Sequence, residues 1–357
     1  MSPEHRLKED YPWTQSPLIA SAPMRLIALA PLAVEVSKAG GLGFIGAGND
    51  VSMLEPELQK AQQLFAAAEH PLPATLPVGI GVLNWGADLD ATLALLRTYR
   101  PAAFWLFAPR KLSDLRAWTQ GARDATAGAT KVWIQVGSVV DAVQVVRECG
   151  PDVLVVQGVD AGGHGLERGA GIVSLVPEVH DALVAALGPE GEAAEGKMPV
   201  LVAAGGISEG RGVAAALALG AAGVVMGTRY LASPEAEISG GYRDEVVRAS
   251  DGGQTTVRSG VYDKLRGTVD WPPGYGGRGV INRSYQDAIG GMDHEENVRL
   301  YNEAMKSGDK GWGVEGRMTT YAGTGVGLIK GVKSAKEITE EVREDARSVL
   351  KSLREKL

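Results

Sequence analysis

Between Leu18 and Met226 the chain carries eight short, almost unbroken apolar runs, most of them separated by stretches of helical character. They are Leu18 to Ser21, Leu42 to Ile45, Val78 to Leu83, Ala103 to Phe107, Lys131 to Val136, Val153 to Val156, Pro199 to Ala203 and Gly223 to Met226. A strand with one wet face alternates apolar and polar residues, whereas a run apolar throughout is buried on both faces, as in a parallel sheet covered by helices. The covering helices are read at Leu26 to Lys38, Leu54 to Glu69, Asp88 to Arg100, Leu112 to Ala122, from Ser138 through Glu148, and at Glu209 to Leu219. Ser138 and Ser208 stand where a cap would accept a backbone N–H. Eight strand–helix units in about 200 residues predict an α/β chain folded as a (β/α)8 TIM barrel. A doubly wound sheet shares the local pattern and is the competing architecture, and the count of eight favours the barrel.

Glu235 to Ser250 reads as one more helix, and then the texture changes. Trp271-Pro272-Pro273 and a Gly-Tyr-Gly-Gly cluster follow, then a polar stretch of helical tendency from Asp287 to Gly308. The chain therefore divides into a barrel (1–250), a mainly helical and loop subdomain laid over one end of it as a lid (251–316), and a return segment (317–357). The last ends in a charged helix, Ala335 to Leu357, expected to pack on the barrel.

The net charge of −7 comes with no basic stripe, which argues against nucleic acid or an anionic membrane as a partner. No run approaches the roughly 20 apolar residues that span a bilayer. Met1 to Asp10 is charged and lacks the apolar core of a secretory signal. Cys149 is the only cysteine, so intramolecular disulfides and cysteine-based metal sites are excluded. The chain reads as a cytoplasmic enzyme of small molecules with no metal, its oligomeric state (monomer or homodimer) open.

Barrel enzymes place their sites at the carboxyl ends of the strands. There this chain collects Pro23, Met24, Asn84, Gln157, His164, Gly205, Gly206, Gly227 and Thr228. The glycine turns after the last two strands occupy the usual phosphate position: glycine frees backbone N–H groups to point at an anion, and the Thr228 hydroxyl adds a donor. The alternative is that these glycines only make tight turns. His164 sits in the glycine-rich loop that follows Gln157, where an imidazole serves either as a general base or as a partner for backbone carbonyls. Met24 fits a cofactor contact or plain core packing, Tyr321 and Trp312 fit a pocket wall or an anchor for the lid, and Asn84 could instead cap the helix near Asp88. Asp160 and Glu167 flank the histidine loop and could pair with Arg168 or orient His164.

The stretches Ala22-Pro23-Met24, Ser37 to Gly46, Val155 to Gly165, Ala203 to Ile207, Val225 to Arg229 and Tyr321 to Leu328 resemble, in order, the nitronate monooxygenase family, formerly called 2-nitropropane dioxygenases. The resemblance covers most of the chain, and its glycine–histidine loop is quite specific. It implies an FMN-binding barrel that oxidises alkyl nitronates with O2 to a carbonyl compound and nitrite. It further implies that Asn84 and Gln157 contact the flavin ring system and that Gly162 and Gly163 approach the cofactor. Gly205, Gly206, Gly227 and Thr228 would hold the phosphate, Pro23, Met24 and Met226 would lie beside the cofactor, His164 would be catalytic and Tyr321 would line the substrate pocket. Many members carry Gly-Gly-His-Arg-Gly, whereas here Gly165 follows His164 directly, which removes a cation from the loop.

A nitronate is already an anion and needs no base, only stabilisation of its charge; a neutral nitroalkane must lose its α-proton, a task that suits His164. Two rival readings stand beside this one. The first is an NAD(P)H-dependent flavin reductase of quinones or enoyl thioesters. The second, of another class, is a flavin-free phosphate-binding barrel, either a lyase or a sensor.

Overall fold

A computed structural model describes residues 2–68, 74–188 and 198–356; Met1, Glu69, His70 and Leu357, which the sequence reading includes, lie outside them. Each apolar run is a strand, within three residues of its expected bounds. They are β1 (Leu18–Ser21), β2 (Phe44–Gly48), β3 (Leu76–Leu83), β4 (Pro101–Phe107), β5 (Lys131–Val136) and β6 (Val153–Gln157). After β7 (Gly163–Leu166), which lies apart, come β8 (Val200–Ala204) and β9 (Gly223–Met226). The eight run parallel in the order β1, β9, β8, β6, β5, β4, β3, β2. The ring closes where Ser21 N donates to Leu42 O at 3.1 Å and Leu42 N to Ile19 O at 3.0 Å. That closure excludes a doubly wound sheet, whose edge strands stay apart.

Alternation along each strand sorts side chains between two cores. Ala103, Trp105, Trp133, Val153, Val155, Val200 and Val202 fill the barrel interior. Phe104, Leu106, Val132, Ile134, Leu154, Val156 and Leu201 face outward to the helices. An unbroken apolar run is thus two half-cores interleaved with period two. The helix Pro3–Asp10 and Tyr11, for which the sequence suggested no role, plug the amino-terminal end of the barrel. Trp133 Nε1 donates there to the Tyr11 hydroxyl at 2.7 Å, with both residues fully buried.

Ser138 caps its helix by accepting from Asp141 N, as expected. Ser208 does not: the helix Gly210–Ala218 starts after Glu209 with no side-chain cap. The helix expected from Leu26 begins at Ala30, because Leu26 takes a left-handed conformation (φ 62°) and Leu29 is extended. The terminal helix Ala335–Lys356 packs between Gly210–Ala218 and Ala30–Lys38, and its buried Arg343 donates to the carbonyls of Ala39 and Gly40.

The Gly-Gly-His stretch, read from the sequence as a loop, is an edge strand. β7 pairs antiparallel with β11 (Tyr275–Val280), which also pairs with β10 (Thr256–Ser259), and His164 stands opposite Gly277. The segment after residue 250 also supplies the helices Val261–Arg266, Arg283–Ile289 and His294–Lys306. No helix among the described residues is long and apolar enough to cross a membrane.

Candidate active site

A cavity of about 630 Å³ opens at the carboxyl ends of the strands, within the usual range for a small-molecule site. Eleven of the thirteen residues singled out in the sequence line it: Pro23, Met24, Gln157, Gly162, Gly163, His164, Gly205, Gly206, Gly227, Thr228 and Tyr321. Two do not. Met226 is packed into the core between barrel and helices, since the period-two alternation of β9 turns it outward. Asn84 is not on the cavity wall either; its amide is buried without a hydrogen-bond partner, while its neighbour Trp85 lines the cavity. Nor does Asn84 cap the next helix, because Asp88 does so itself by accepting from Ala91 N.

Gly205 (φ 105°) and Gly206 (φ 76°) turn the chain after β8 in conformations that disfavour a side chain. The amides of Gly206, Gly227 and Thr228, residues that line the cavity, find no acceptor among the described residues. The Thr228 hydroxyl accepts from Gly323 N at 3.0 Å and keeps its own proton to donate. Gly162 lines the cavity and also has a packing reason to be glycine: a Cβ there would stand 2.5 Å from Gly323 N, so the missing side chain admits the 322–323 backbone.

His164 is held on three sides. Both carboxylate oxygens of Asp263 lie 2.9 Å from its Nε2. Trp271 stacks on its ring, and Tyr321 stands near by with ring centroids 5.3 Å apart. Asp263 is buried and accepts further hydrogen bonds from the Tyr321 hydroxyl (3.0 Å) and Thr268 Oγ1 (3.1 Å). Burial, followed by the Asp263 charge, pushes the Tyr321 hydroxyl far above its ordinary pKa, so Tyr321 is a neutral donor here. The orienting carboxylate is therefore neither Asp160, which accepts from Thr324 Oγ1, nor the exposed Glu167. Asp263 and Trp271 were not legible as site residues, because they lie about a hundred residues from His164 and no local pattern marks them.

The loop has not lost its cation. Arg258 of β10 reaches under it and donates to the carbonyls of Val159 (3.2 Å), Ala161 (2.7 Å), Gly163 (2.9 Å) and Gly276 (2.7 Å). Burial and the nearby Arg278 push the Arg258 guanidinium down to about 10, which leaves it charged at neutral pH. A Cβ at Gly165 would stand 2.5 Å from Gln157 Oε1 and 3.2 Å from this guanidinium. Gln157 in turn donates to the His164 carbonyl at 3.2 Å. The space is taken, so the glycine after His164 and the distant arginine belong together.

Three donors on the cavity wall are buried with no partner among the described residues: Gln135 Nε2, Trp85 Nε1 and Trp312 Nε1. Buried donors are normally satisfied, so these ask for a ligand rich in acceptors. Trp312 also stacks on Tyr242, so it both anchors its segment and faces the cavity.

Comparison with known proteins agrees with the geometry. A family profile described as nitronate monooxygenase matches residues 119–345. The nitronate monooxygenase npaC of Metarhizium robertsii is 48% identical over 97% of this chain and 96% of its own, and the nitronate monooxygenase of Neurospora crassa is 39% identical over 98% and 94%. Among solved structures, the nitroalkane oxidase of Streptomyces ansochromogenes superposes with a TM-score of 0.72 at 22% identity, covering 98% of this chain and 99% of that one. FabK of Thermotoga maritima superposes at 0.71 with 25% identity and 99% coverage of both. With the profile spanning more than half its length and two relatives matched almost end to end, the chain belongs to the nitronate monooxygenase family.

Proposed function

We propose that the protein is an FMN-dependent oxidoreductase that converts alkyl nitronates and O2 to a carbonyl compound and nitrite, and that it accepts neutral nitroalkanes through deprotonation at His164. The observation that carries this reading is an imidazole fixed by a buried carboxylate on the wall of a cavity that is also lined by residues whose backbone amides have no acceptor among the described residues.

The residues present fit the cofactor. Gly205, Gly206, Gly227 and Thr228 would hold a phosphate dianion through amides and one hydroxyl, as expected of the last two turns of such a barrel. Pro23, Met24, Gly163 and Gln157 would flank the ring system, and the unpaired amide of Gln135 would donate to one of its acceptor atoms. When bound, FMN supplies an electron acceptor that the side chains lack. The chain's own part is to bind, orient and move a proton. Apolar walls from Trp105, Phe107, Trp271 and Leu231 exclude water from the reacting atoms, and the unpaired indole donors of Trp85 and Trp312 would hold nitro oxygens.

The test is an anaerobic titration of the purified protein with ethyl nitronate and, separately, with NADPH. Flavin absorption that bleaches with the nitronate alone supports the proposal. Bleaching by NADPH alone would transfer the chain to the reductase reading, and a colourless protein would end both.

A further inference from the structure

We infer that Nδ1 of His164 is the atom that takes the proton, and that Asp263 is the positioning residue that keeps this nitrogen unprotonated and aimed into the cavity. The inference rests on the proposed reaction for its chemistry but on the hydrogen-bond arrangement for its content.

Asp263 is an acceptor on every side. Its carboxylate takes hydrogen bonds from the Tyr321 hydroxyl and from Thr268 Oγ1, and both its oxygens face Nε2 of His164 at 2.9 Å. A carboxylate has no proton to give, so Nε2 must carry the hydrogen. A neutral imidazole has only one N–H, so Nδ1 holds the lone pair. Among the described residues Nδ1 has no hydrogen-bond partner, and the residue lines the cavity with 13% of its side chain exposed. The stack on Trp271 fixes the ring plane, and the Asp263 contact fixes rotation within that plane. Tyr321 cannot take the role of base: its hydroxyl donates to the same carboxylate and its ionisation is strongly suppressed.

In the step this implies, Nδ1 removes the α-proton of a neutral nitroalkane. The C–H electron pair moves into the nitro group to give the nitronate anion, and the ring becomes an imidazolium whose Nε2–H still points at Asp263. An asparagine at 263 would present an amide N–H as readily as a carbonyl to Nε2, which permits the opposite tautomer and hides the lone pair from the substrate.

The experiment reads the tautomer and the rate together. In ¹⁵N-histidine-labelled holoprotein, long-range ¹H–¹⁵N spectra, with His164→Asn to assign the signal, are expected to show a protonated Nε2 and a bare Nδ1. Asp263→Asn is expected to move the ring toward the Nδ1–H form. It is also expected to lower kcat for nitroethane by about 100-fold or more, the scale of a lost general base, with little change in KM and only a several-fold loss on ethyl nitronate. A wild-type ring protonated at Nδ1 overturns the inference, as does an Asp263→Asn enzyme with an unchanged nitroethane rate or with equal losses on both substrates. Should Asp263→Asn not fold, the wild-type spectrum alone decides. Should the wild-type enzyme turn over neither substrate, the proposed function fails, while the tautomer result still tests the arrangement.

Discussion

The imidazole of His164 lies flat on the indole of Trp271, with ring centroids 3.7 Å apart and planes within 7°. The indole is supported in turn by Trp85 and Phe107 from the ends of β3 and β4. Trp271→Ala leaves one face of the imidazole without support and is expected to lower kcat for nitroethane by roughly 10- to 100-fold, since small misplacements of a reacting group are costly. Trp271→Phe keeps a flat partner and should retain most of the activity. Steady-state kinetics of the two variants decide.

His164→Asn removes the proposed base and keeps a polar side chain of similar reach. Turnover of neutral nitroalkanes should fall by at least about 100-fold, while a preformed nitronate, whose acidic α-proton is already gone, is affected much less. Parallel assays with nitroethane and ethyl nitronate check this, and an equal loss on both would contradict the base role.

Arg258→Met strips four backbone carbonyls of one shared donor. Hydrogen bonds to a charged group contribute about 1.5–3 kcal/mol each and are not additive, so a loss of roughly 3 kcal/mol or more in urea unfolding is expected. Arg258→Lys, with a single ammonium in place of a planar fork, should recover only part of it.

Gly165→Arg places an arginine directly after His164. Here it is expected to impair, because the new Cβ displaces Gln157 from the His164 carbonyl and crowds Arg258. Combined with Arg258→Ala, the same change should harm less than the single effects added together. A double-mutant cycle on thermal stability measures that coupling.

Gly210→Leu tests the outer ring. A Cβ at this position would overlap Asp345 and stand 2.5 Å from Ala346 N, both in the terminal helix. Overpacking of this kind costs about 1–3 kcal/mol. A lowered Tm with unchanged kcat in the surviving folded enzyme is the expected signature, because the contact is remote from the cavity.

The barrel was legible because its strands announce themselves twice. A run such as Val153 to Val156 is apolar at every position, since one half feeds the interior and the other the helices. The glycine turns were legible for a similar reason, each abutting such a run. Met226 misled because it stands at a strand end, where only the phase of the alternation tells cavity from core. β7 was missed because Gly-His-Gly-Leu has no β-branched residue and pairs with a strand more than a hundred residues away. Asp263 was out of reach on the same ground: nothing near Val261–Arg266 distinguishes that carboxylate from the solvated ones around it.

The pairing of β7 with β11 carries a consequence for synthesis. All eight strands of the barrel are synthesised before Asp263, Trp271 and Tyr321. A chain that has reached residue 250 therefore carries His164 without the carboxylate and the indole that hold it, and the imidazole is fixed only once this later segment has been made.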